Sequence, residues 1–151
     1  MTKFKEAQEQ YPELMKTCHE INFNAAYDWA EMMLRRGKKK AHSHYLKDFL
    51  HRDLKVYTMQ DHFSAILLLQ GYKRKDDFFY IDKDLYEVIT WWDMLARIES
   101  NADWYYDMNA YARRRVNIVA YRNYIEYKKL QEKYTELESY KLYKEEYSTY
   151  F

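Results

Sequence analysis

His44, Asp48 and His51 stand at positions i, i+4 and i+7 of a segment that opens with a helix-capping residue, Ser43. At that spacing the three side chains share one helical face. Two imidazoles and one carboxylate on one face can hold a divalent metal, which would suit a small metal-dependent hydrolase. The plainer reading is a solvated polar face beside a basic loop, because no His-Glu-x-x-His motif supplies a general base. His42 and His62 are the other nearby imidazoles. His51-Arg52-Asp53 also matches the opening of the protein-kinase catalytic loop. That loop needs Asn five residues after its Asp, where this chain has Thr58, and neither a glycine-rich loop nor Asp-Phe-Gly is present. No cofactor is expected, and nothing in the motifs requires an enzyme.

Charge makes a stronger pattern than catalysis. Arg35, Arg36, Lys38, Lys39, Lys40, Lys47, Arg52 and Lys55 are opposed in their span only by Asp48 and Asp53. Lys73-Arg74-Lys75 and Arg113-Arg114-Arg115 are further clusters. Phosphate binding needs such charge, and tyrosines can stack on unpaired bases. The segment 35–55 is therefore a candidate nucleic-acid contact, although it fits none of the standard motifs. Asp76, Asp77, Asp82, Asp84, Glu87, Asp93, Glu99, Asp103 and Asp107 crowd a second region. Paired carboxylates can hold Mg²⁺. Here Asp82, Asp84 and Asp103 read better as helix-start residues, and the segment as a whole is also a candidate acidic patch able to dock on a basic partner. The formal net charge is only +1. Its distribution is uneven, basic in the first half and acidic in the second, which suits a two-faced binder.

The elements that must carry these residues read as helices. The chain of 151 residues has 2 Gly and 1 Pro, which argues against a turn-rich β fold. Residues 3–11 form a short polar helical turn, and Pro12 fits the first position of a helix reaching about Ile21. Asn22 or Asn24 caps a third helix that Gly37 ends, with Arg35 and Arg36 in its last turn. Lys38 to His42 is a basic connector. Ser43 caps a helix through about Leu54. Thr58 caps another that ends at Gly71 and forms the centre of the core. Tyr72 to Asp77 is a charged loop. Phe78 to Ile81 is a short strand or an extended link, since so short a run does not separate the two. Asp82 caps a helix from Lys83 to about Glu99. Phe63, Leu67, Trp92 and Ile118 are assigned to the core.

From Asp103 to Phe151 there is neither Gly nor Pro, and one long helix is expected, with a body of residues 1–102 behind it. Tyr127, Leu130, Tyr134, Leu137, Tyr140, Tyr143 and Tyr147 recur at steps of three or four and form a narrow stripe. About 45 residues at about 1.5 Å each span about 70 Å, whereas a domain of this length has a radius of gyration of about 15 Å. The helix is therefore expected to project in part, with its stripe covered by self-association as a homodimer.

Cys18 is alone, so no intramolecular disulfide is available. The start Met1-Thr2-Lys3-Phe4 has no apolar leader, and Ala65 to Leu69, the longest aliphatic run, is far short of a membrane span. A soluble, cytoplasmic protein with no membrane contact is expected. The fold expected is an all-α single domain, a compact body of about five to six helices with a long C-terminal helix. The leading functional expectation is a non-enzymatic helical interaction protein that occupies a surface of a larger protein or nucleoprotein, as phage and mobile-element accessory or inhibitor proteins do. A nucleic-acid-binding module is the alternative, with DNA or RNA as partner.

Overall fold

A computed structural model describes residues 1–82 and 118–151. The elements run α1 (Lys3–Gln10), α2 (Glu20–Met33), β1 (Arg36–His42), α3 (Ser43–Leu54), α4 (Gln60–Leu69), β2 (Arg74–Lys75), β3 (Phe78–Ile81), α5 (Ile118–Tyr134) and α6 (Glu138–Glu146). A 3₁₀ turn, Ser148–Tyr150, closes the chain. The fold is thus mixed, helices plus a small antiparallel sheet, and not all-α. The sheet has three strands in the order β1-β3-β2. What the sequence presents as a basic connector is its longest strand. Lys has little strand preference of its own. The segment is extended because β3 offers a row of backbone partners, with Lys40 opposite Tyr80, Ala41 opposite Phe79 and His42 opposite Phe78.

Local signals account for several element ends. α3 begins at Ser43, and the His42 ring makes the cap, its Nδ1 accepting from the His44 amide at 3.1 Å. Gly71 sits at φ 87, where only glycine is comfortable. Its amide donates to the Leu68 carbonyl and the Tyr72 amide to the Leu67 carbonyl, which is a Schellman ending for α4. Gly37 does not end a helix. α2 stops at Met33 on an extended Leu34, and Gly37 lies within β1. Residues 12–17 form turns rather than the expected helix.

The core is built around α2 and α4. Phe23, Trp29, Phe63, Ile66 and Leu67 are buried, and Phe79 and Ile81 reach the same cluster from the inner face of the sheet. α4 is enclosed from His62 to Leu67, as its near-continuous apolar run predicts. The expected helix at 83–99, the residues Trp92 and Arg113 to Arg115, and the front of the long helix lie outside the described residues. The side chains of Arg52 and Ile118 do too.

The C-terminal stretch departs most from expectation. It is not continuous. α5 ends at Tyr134, and Leu137 takes up an extended backbone as N-cap of α6. Both helices pack on α2. Tyr127, Tyr134, Tyr140 and Tyr143 are buried, and Leu130, Leu137 and Tyr147 are packed against the core. The stripe is covered by the chain's own body, which removes the reason for a projecting helix and for a dimer seam built on it. The break needs no Gly or Pro, because burial of four tyrosine rings outweighs a few helical hydrogen bonds.

Two measurements test this packing. Leu67→Ala should cost about 2–5 kcal/mol in chemical denaturation, and a loss under about 0.5 kcal/mol would place Leu67 at the surface. Burial also pushes the Tyr134 phenol far above its ordinary 10.0, with Asp28 adding to the shift. Above that ordinary value the unfolded state releases a proton that the folded state keeps, so stability falls as pH rises. Part of the phenolate absorbance should therefore appear only as the helical circular dichroism is lost. Complete ionisation with the helices intact would contradict the burial.

Candidate functional site

The sequence-predicted basic residues separate into different places. Arg35, Arg36, Lys38, Lys39 and Lys40 are exposed along the run into β1 and its outer edge. Lys47 lies elsewhere. It is 9 % exposed, with its ammonium 3.6 Å from Asp48 and 5.8 Å from the Tyr57 ring centre. The segment 35–55 is therefore not one continuous basic surface.

Strand pairing adds residues to the β1 cluster. Directly paired residues share a face of a sheet, as do residues two apart on one strand. His42 pairs with Phe78, Phe78 with Lys75, and Lys40 with Tyr80. These five side chains share the outer face, while Ala41, Phe79 and Ile81 are buried on the other. Phe78 is 38 % exposed, with the Lys40 ammonium 5.5 Å from its centre and the His42 ring edge-on at 5.1 Å. The loop between β2 and β3 is the pair Asp76-Asp77, with Asp76 at φ 56. Arg74 is held in this turn, its Nε donating to the Asp76 carbonyl and its guanidinium 3.5 Å from the Asp77 carboxylate. Of the expected acidic patch, only Asp76, Asp77 and Asp82 are among the described residues.

The metal candidate does not assemble. His44 and Asp48 make an exposed pair at 3.4 Å. The His51 ring packs edge-on to Tyr57, 5.8 Å away, and lines a different feature. No group of three or more metal-ligating side chains is brought together among the described residues.

That different feature is a cleft of about 700 Å³ between the starts of α2 and α4, the end of α3, and α6. His19, His51 and His62 line it with Lys55, and Tyr57, Tyr147 and Tyr150 wall it. Tyr57 is clamped from both sides. Its amide donates to the Tyr143 hydroxyl at 2.9 Å, and its carbonyl accepts from Asn22 Nδ2 at 3.3 Å. The Tyr147 hydroxyl donates to Asn22 Oδ1 at 2.8 Å. Burial raises the Tyr143 phenol, so it stays a neutral hydrogen-bonding group. Thr17 and Lys55, both on the cleft, hold left-handed backbone at φ 63 and φ 58. No sequence spacing announces this site. His19, His51 and His62 come from three separate elements, and only the packing of α6 closes the space.

Compared with protein-family models, curated proteins and solved structures, the chain matches none. No helix among the described residues is long and apolar enough to cross a membrane.

Gly37 is the position on which the basic sheet depends. A Cβ there would lie 2.3 Å from the Ile81 carbonyl oxygen and 2.5 Å from Asp82 Cα, both backbone atoms that cannot swing aside. Gly37→Ala should destabilise the protein by about 1–3 kcal/mol and accelerate amide exchange in β3. Unchanged exchange would mean the two strands lie further apart.

Proposed function

We propose that this chain is a non-enzymatic binding protein that docks the outer face of its basic sheet on single-stranded nucleic acid, free or within a larger nucleoprotein. One observation carries the reading. Lys40, His42, Lys75, Phe78 and Tyr80 share one face, with the exposed Lys38 two residues before Lys40 on the same strand. Phe78 and Tyr80 stand two residues apart, which on an extended strand is about 7 Å. Rings so placed can stack on successive unpaired bases, and lysines at the rim neutralise the phosphates between them. A duplex hides its base faces and would make no use of the rings. The lone Cys18 suits a reducing compartment, and the cytoplasm is the setting proposed.

The test is fluorescence anisotropy with a labelled single-stranded oligonucleotide at two salt concentrations. Binding should weaken with salt by about 0.7 in log K per log unit for each phosphate neutralised. Lys38→Glu, Lys39→Glu and Lys40→Glu together should abolish it without unfolding the protein. Phe78→Ala should cost about 1–3 kcal/mol of affinity if its ring stacks on a base. No measurable affinity at low salt would remove nucleic acid as the partner and leave an acidic protein surface.

A further inference from the structure

We propose that the cleft between α2, α3, α4 and α6 is a second binding site, for a small anion that carries a planar ring, of the chemistry of a nucleoside monophosphate. It is independent of the sheet.

Its electrostatics are one-sided. The Lys55 ammonium lines the cleft with the imidazoles of His19, His51 and His62, and no Asp or Glu among the described residues does. Two helices also start there. His19 is the N-cap of α2 and Met59 the N-cap of α4, both residues line the cleft, and neither cap makes a side-chain hydrogen bond. With helices of 14 and 10 residues, the first-turn amides and the positive dipole ends favour an anion at that point. Glu20 and Asp61 occupy those first turns, but both are exposed and neither lines the cleft. The end of α3 brings an opposite dipole, and the Lys55 ammonium stands where it would otherwise matter.

Three lining residues are largely buried and keep hydrogen-bonding capacity. Thr58 is 5 % exposed, lines the cleft, and its hydroxyl has no partner among the described residues. His62 is 6 % exposed, with Nε2 2.7 Å from the Lys16 carbonyl oxygen. A carbonyl only accepts, so Nε2 carries the proton and donates. Nδ1 is left without a partner among the described residues. The Tyr143 hydroxyl accepts from Tyr57 and still has its own proton to give. These groups face the cleft with hydrogen bonds still to offer a ligand.

The walls call for a ring. Tyr57, at 52 % exposed, and Tyr150, at 71 %, are large aromatics left at the surface, and Met59 joins them at 45 %. A bare phosphate would fill little of about 700 Å³. The volume and the mix of apolar wall with a few polar groups are those of small-molecule sites.

The experiment titrates the intact protein with adenosine monophosphate by calorimetry, with adenosine and inorganic phosphate as separate probes. The monophosphate should bind saturably, and each fragment at least tenfold more weakly. Lys55→Gly removes the ammonium at a left-handed position that glycine accepts readily, so the fold is kept, and it should weaken binding at least tenfold. Thr58→Val should do the same where it folds. Lys38→Glu, Lys39→Glu and Lys40→Glu together should leave it unchanged. Absence of saturable binding at millimolar monophosphate overturns the proposal. So does wild-type affinity in Lys55→Gly, equal affinity for adenosine, or loss of binding in the sheet variant.

Discussion

The Tyr134 hydroxyl donates to the carbonyl of Ala25, 109 residues earlier, at 2.8 Å and fully buried. Much else depends on that contact. Left unpaired in the core, a phenol would cost about 1–3 kcal/mol. Tyr134 is therefore committed to one place on α2, and the chain must turn just after it. Two further bonds continue along the same side of α2, from Ser139 to Asp28 at 2.5 Å and from Tyr147 to Asn22 at 2.8 Å. Asn22, Ala25 and Asp28 are spaced by three residues, so the links form one line along the helix. Small residues at Ala25, Ala26 and Ala30, all fully buried, leave room for close approach to α2.

This line also makes the cleft. Asn22 accepts from Tyr147 and donates to Tyr57, and Tyr143 accepts from Tyr57, so one network joins α2, α6 and the extended segment between α3 and α4. The cleft is the space these three leave beside the end of α3. Its polar groups belong to a rigid frame rather than to a loose surface, which is what a binding site requires.

The positive charge serves two purposes on the sheet. Lysines along an outer strand discourage pairing with another chain, because an exposed strand edge is otherwise a template for aggregation. The same lysines, beside Phe78 and Tyr80, make the face attractive to a polyanion. The cleft lies in another part of the molecule and draws its positive potential from Lys55 and from the amide ends of α2 and α4.

The sequence by itself determined the local and one-dimensional features. Gly71 ends α4 and the apolar run in α4 is the buried helix, because caps and periodicity act over a few residues and are written in adjacent side chains, whereas α3 is capped by the His42 ring and not by the expected Ser43 hydroxyl. The exposed positive charge of Arg35 to Lys40 was equally legible, since nothing nearby could bury it. Only the tertiary structure decided that this charge lies on a strand, because the partner strand is some 40 residues away and Lys-rich sequence has no strand preference. It alone decided that Gly37 permits two backbones to meet instead of ending a helix. It decided that the tyrosine stripe packs on the chain's own α2. Spacing of three and four specifies a buried face, but what covers that face is a matter of where the chain turns, and the turn after Tyr134 carries no Gly or Pro to announce it. The cleft was least legible of all, because His19, His51, Thr58 and His62 become neighbours only once three helices have packed.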